Sequence, residues 1–199
     1  MPVLFALGFR PFFLLSGLFA VLSIALWVPT FVGWFPLNSY YGQIGWHSHE
    51  MIFGYTAAVV AGFLLTAVRN WTEMATPQGW TLAALSVVWS LGRILPFCAS
   101  ALPAKLIALV DLSFLPALAV GIGVPLVRHG EWRNLLFLPL IALFWVANLL
   151  VHLEILGFVA NLAHQAVLLG LDLIVLLIVI MGGRVIPFFT ERALEGVAI

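Results

Sequence analysis

Six successive stretches of about 20 predominantly apolar residues constrain this chain more than any other feature, because each is long enough to cross roughly 30 Å of hydrocarbon as a helix rising about 1.5 Å per residue. They fall at residues 11–34, 46–68, 79–95, 102–127, 132–152 and 161–185. Hydrophobic residues make up 64% of the 199 and charged residues 8%. A soluble domain could hide that much apolar surface only by having almost no surface, whereas lipid accepts apolar side chains all round a helix. The expected fold is all-α: a single polytopic bundle of six transmembrane helices. Pro36, Pro77, Pro96 and Pro103 stand where helices should stop, and the short connections leave no room for a soluble domain. Pro116, Gly121, Gly123 and Pro125 predict a kink or break in the fourth helix.

Charge narrows the partners. The net charge is zero, with no basic or acidic run, which argues against nucleic acid and against anionic headgroups as electrostatic partners. The single cysteine, Cys98, cannot form an internal disulfide. The opening ten residues lack the positive cluster and cleavage site of a signal peptide, so the first apolar segment is expected to stay in the bilayer. Arg10, Arg69, Arg128, Arg133, Arg184 and Arg192 lie in the segments at one face, against Arg93 and Lys105 at the other. The positive-inside rule then puts both termini in the cytoplasm. Trp34, Trp46, Trp71, Trp80 and Trp132 at the predicted edges suit interfacial anchoring. Gly92-Arg93-Ile94-Leu95-Pro96-Phe97 echoes Gly183-Arg184-Val185-Ile186-Pro187-Phe188. Two readings stay open: an inverted repeat, or a common way of stopping a membrane helix.

The same topology sorts the histidines. His47 and His49 open helix 2, His152 closes helix 5 and His164 opens helix 6, all toward the non-cytoplasmic face, while His129 lies on the other side. Imidazole is a neutral donor of intermediate softness suited to copper and to haem iron, and several can converge inside a bundle, so these four are candidate metal ligands. Residues 47 and 49 are about 200° apart on an ideal helix and cannot face the same way unless the first turn is irregular. Asn148, four residues before His152, could orient its ring. The plain structural alternative is solvated interfacial histidine. Met51 and Cys98 are softer copper candidates, or ordinary packing. Glu50, Asp111 and Asp172 are intramembrane acids that must find partners or water; they could form a proton relay, or be paired structural carboxylates. Arg93 and Lys105 could hold haem propionates, with snorkelling as the alternative for Lys105. No Ser-His-Asp set, phosphate-cradling glycine loop or nucleotide motif supports a hydrolase or ATPase.

The segments Leu4-Phe5-Ala6-Leu7-Gly8-Phe9-Arg10-Pro11-Phe12-Phe13, Trp46-His47-Ser48-His49-Glu50-Met51-Ile52-Phe53-Gly54-Tyr55, Ala61-Gly62-Phe63-Leu64-Leu65-Thr66-Ala67 and Gly182-Gly183-Arg184-Val185-Ile186-Pro187-Phe188-Phe189-Thr190 together resemble the NnrS family, in the family's order. The resemblance implies a bacterial inner-membrane protein containing haem and copper, tied to nitric oxide, to denitrification and to protection against nitrosative stress. It makes His47 and His49, with Glu50 beside them, the leading ligand candidates, and it implies no settled reaction. Family members usually have about twelve helices, so the chain resembles an N-terminal half whose partner would be a second copy or a C-terminal half. Readings from other classes are a metal-free proton-coupled transporter or channel and an assembly subunit.

Overall fold

The structure, a computed structural model, describes residues 3–194. The chain termini expected in the cytoplasm, residues 1–2 and 195–199, lie outside them. The described residues contain no strand and six helices long and apolar enough to cross a membrane. They are α1 (Phe9–Phe31), α2 (Gln43–Thr72), α3 (Trp80–Ile94, continued by a 3-10 turn at Leu95–Cys98), α4 (Ala104–His129), α5 (Phe137–Ile155) and α6 (Ala163–Leu194). The loops are tied down by their own backbone: Gly79 N–H donates to Phe5 O at 2.7 Å and Tyr40 N–H to Pro96 O at 2.8 Å.

The expected break in the fourth helix is absent, and the sixth helix is longer than expected. α4 runs without a break through Pro116 and Pro125, and α6 runs past Pro187 to Leu194 instead of stopping near 185. Proline removes one intrahelical bond, but a membrane helix has few other ways to satisfy its backbone, so the helical path continues around the gap. The Gly-Arg-x-x-Pro echo therefore ends one helix, where Pro96 sits in the 3-10 turn after α3, and lies inside the other.

α2 is the axis of the bundle. It packs against α1 on one side and α4 on another, while its upper part also touches α3 and α6; α3–α4, α4–α5 and α5–α6 complete the ring. Ala57, Ala58, Ala61 and Leu65 of α2 are wholly buried together with Phe12, Leu82, Leu118 and Ile122 from its neighbours. The outward faces of α1, α4 and α6 are Leu, Ile, Val and Phe, as lipid contact requires. Alternating helix directions bring the loop after α1, the start of α2, the end of α3, the first turns of α4 and the end of α5 to one end of the bundle, the histidine end.

Candidate metal centre

The polar site grows from an irregularity in α2. Gln43–His49 is α-helical, Glu50–Thr56 is a π turn, and α-helix resumes at Ala57–Thr72. A π turn carries an extra residue and changes which side chains face inward; such turns recur at functional sites. Around it Thr56 donates its hydroxyl to Met51 O at 2.8 Å, and Trp89 donates its indole N–H to Gly54 O at 3.0 Å. Glycine at position 54 leaves room here, because a Cβ would collide with the Arg93 guanidinium and the Glu50 carboxylate unless they shift. Gly92 serves the same purpose on α3, where a Cβ would lie 2.8 Å from Asp111 Oδ1.

Into this space converge His49 and Glu50 of α2, Arg93 of α3, Asp111 of α4, and Asn148 and His152 of α5, all buried. Asp111 is the hub. Its Oδ1 accepts from Arg93 Nη2; its Oδ2 accepts from Asn148 Nδ2 at 2.8 Å, meets His152 Nε2 at 3.0 Å and lies 3.5 Å from His49 Nε2. Arg93 Nη1 donates to Glu50 Oε2 at 2.8 Å, so one guanidinium bridges two carboxylates. His49 is held between Glu50 Oε1, 3.3 Å from Nδ1, and Asn148 Oδ1, 2.8 Å from Nε2. Within a low-dielectric bundle, such ions persist only because each is paired and hydrogen-bonded.

The loop before α2 closes the site. Tyr41 stacks on His49, ring centroids 3.9 Å apart, and Tyr40 Oη lies 3.2 Å from His152 Nδ1. Gly42, at φ 68°, makes the turn that lets two tyrosines precede the helix. Burial pushes the Tyr40 phenol up to about 12; burial and then the Glu50 charge push Tyr41 up as well. Both are neutral hydroxyl donors at ordinary pH, and the buried Tyr41 Oη has no hydrogen-bond partner among the described residues.

Of the residues singled out from sequence, His49, His152, Glu50, Asp111 and Arg93 come together here. The other six do not. His47 stacks on Trp27 of α1 at 4.3 Å, on another side of the helix from His49. His164, Lys105 and Asp172 are exposed, and Met51 and Cys98 are half-buried outside the His49, Asp111 and His152 group. Asn148 contacts the other histidine from the one its spacing suggested, since both its polar atoms reach across to His49 and Asp111. Sequence reasoning missed Tyr40 and Tyr41; the signal was two of the chain's three tyrosines standing directly before a glycine and a helix start.

His49, Asp111 and His152 offer two imidazole nitrogens and a carboxylate oxygen within 4.8 Å of one another, and could hold a metal ion. Ligands about 2.0–2.2 Å from one ion lie roughly 3–4 Å apart, which the contacts of Asp111 Oδ2 already match. Haem does not fit between them: both Nε2 atoms face the Asp111 carboxylate, and Tyr41 covers the His49 ring. A groove of about 650 Å³ between α1, α2 and α6 is lined by Phe9, Phe63, Trp71, Met181 and Arg184 among others, with no histidine.

No curated protein and no solved structure matches the chain. Residues 3–199 match the NnrS protein family, a span that includes all six helices and every residue of the buried cluster, and the chain therefore belongs to the NnrS family.

Proposed function

We infer that this protein holds a copper ion between His49 Nε2, Asp111 Oδ2 and His152 Nε2, and that it handles nitric oxide there, as a bacterial inner-membrane protein that protects against nitrosative stress. The observation that supports this reading is the convergence of two imidazoles and one carboxylate from three helices in a buried pocket. Bound there, copper supplies an open coordination position able to take a small neutral ligand such as nitric oxide. The chain's own residues do the rest. Arg93 occupies Asp111 Oδ1 and leaves Oδ2 turned to the histidines. Glu50 fixes the His49 ring through Nδ1, and Tyr40 fixes His152 through its outer nitrogen. With copper on Nε2, each neutral imidazole would carry its single proton on Nδ1, which faces Glu50 Oε1 in His49 and Tyr40 Oη in His152. Tyr41 Oη, buried beside His49, is a spare donor for whatever binds.

Arg93 serves the two carboxylates in this reading, rather than haem propionates, and haem, His47, His164 and Lys105 have no part in it. The histidine end faces outward and both termini lie in the cytoplasm, a topology that a C-terminal reporter would test. A second reading, a metal-free proton-coupled carrier, is favoured by the way Arg93 bridges Glu50 and Asp111 and closes the charge network without an ion. Copper analysis and electron paramagnetic resonance on the detergent-purified chain after copper loading, with and without nitric oxide, decide between them. Stoichiometric copper with a signal that responds to nitric oxide, lost in His49→Ala/His152→Ala, is the expected result. Wild-type protein that retains no more copper than the double variant would sink the metal reading, and proton flux in liposomes would then test the carrier.

A further inference from the structure

Asp172 sits nine positions after Ala163, the first residue of α6, hence about 14 Å along the helix and close to the middle of a hydrocarbon layer about 30 Å thick. It is exposed, and the side chains one turn away on the same face are Leu168, Leu169, Val175 and Leu176, each 37–52% exposed. Among the described residues Asp172 has no hydrogen-bond or ion-pair partner, although every other acid in the apolar part of the bundle has one. Gly170, two positions earlier and about 200° round the helix, packs on Ile52 and Phe53 of α2, so the α6 face that seals the bundle is the one opposite Asp172. Seven residues before it, on the same stripe, Gln165 is also exposed. Two polar side chains a heptad apart therefore interrupt an otherwise aliphatic face turned to lipid.

A carboxyl held in hydrocarbon needs a donor, and lipid tails have none. We propose that the Gln165–Asp172 face of α6 docks a transmembrane helix of a partner that presents a hydrogen-bond donor, Arg, Lys, His, Asn or Gln, level with Asp172. Complementarity selects this occupant over a second copy of the chain. Two copies related by an axis along the membrane normal would set α6 against α6 and bring carboxyl to carboxyl, whereas a basic or amide side chain satisfies the acid directly. Gln165, with both donor and acceptor atoms, adds a second interhelical bond nearer the histidine end and fixes the register.

The test places a photo-reactive residue at Val175, one turn from Asp172, in the full chain within the membranes of the cells that make it. The same residue at Val120 on the lipid face of α4, 65% exposed, is the control. The expected product at Val175, absent at Val120, is a cross-link to a membrane-spanning segment carrying one of those donors. Its yield should fall about three- to tenfold in Asp172→Leu and be largely kept in Asp172→Asn, which retains an acceptor, with both variants as helical and monodisperse as wild type. Adducts with lipid alone, adducts with α6 of a second copy, a linked segment that lacks any donor, or a yield indifferent to Asp172→Leu would each overturn the proposal.

Discussion

α2 and α6 are both long apolar helices, and each carries an acid where lipid or protein interior surrounds it, yet the two acids live in opposite circumstances. The most apolar window of α2 is 56% buried within the bundle and that of α6 is 28% buried. Glu50 on α2 is wholly enclosed and paired with Arg93 and His49; Asp172 on α6 is exposed and has no hydrogen-bond or ion-pair partner among the described residues. Hydropathy treats the two helices alike because it counts residues and ignores direction. The difference comes from position in the bundle. A central helix can be met by ions from several neighbours, while a peripheral helix has only one face that its own chain can cover.

The sharpest way to break that contrast is to remove the ion that holds the α2 side together. Arg93→Leu strands Glu50 and Asp111 in a low-dielectric interior, and loss of one partner of a buried pair costs about 3–5 kcal/mol. Thermal unfolding in detergent should show a large fall or no folded protein at all. Arg93→Lys should rescue only in part, because an ammonium cannot present two separate N–H forks to two carboxylates. Next in size is Gly54→Ala, whose added methyl meets Arg93 and Glu50 in the crowded π turn. Overpacking of this kind costs about 1–3 kcal/mol. An alanine tolerated without loss would mean that the π turn can relax and that the close approach is not needed.

How much of this was legible beforehand depends on which physical rule wrote it. Six spans, their order and the end of the bundle to which His49, Asp111 and His152 belong follow from hydropathy and alternation alone, since a chain crossing a bilayer has little topological freedom. The choice of His49 over His47 was not legible. It is set by the orientation of α2, which gives one ring to Trp27 of α1 and the other to Asn148 and Asp111, residues 99 and 62 positions away. Arg93 read as an anion clamp from its type and place, yet its partners are this chain's own carboxylates, reached because Gly54 and Gly92 leave room. Pro116 and Pro125 do not break the helix, for the opposite reason. Local propensity argued for a break, and the need to satisfy a backbone in lipid overrode it.

A smaller effect is expected at the loop that closes the site. Tyr40→Phe removes one bond to His152 Nδ1 and should cost about 0.5–1.5 kcal/mol of stability. If the metal reading holds, copper affinity should fall about 10–100-fold, since the tyrosine fixes the ring that presents Nε2 to the ion. The same residue sets an alkaline limit. The phenol's folded value, about 12, lies above its ordinary value of 10.0, so its contribution is fully present below about pH 10 and is lost as pH rises toward 12. Tyr41 should add to that fall, and unfolding midpoints collected across pH 9–12 in wild type and Tyr40→Phe would separate the two.

The smallest effect is predicted at Asp172, and its smallness is what makes it useful. Within the isolated chain the carboxyl meets no described partner, so Asp172→Asn in detergent removes no contact of the fold and should shift stability by less than about 0.5 kcal/mol. Asp111→Asn, the comparable change on the buried side, removes the charge opposite Arg93 and should cost several-fold more. The paired measurement asks whether an intramembrane acid serves its own chain or something outside it. A large loss at Asp172 in detergent would mean that the residue supports the bundle itself, and the distinction between the two helices would dissolve. A negligible loss, set beside a strong effect at Asp111, leaves the energy of Asp172 to be recovered only when another helix covers it.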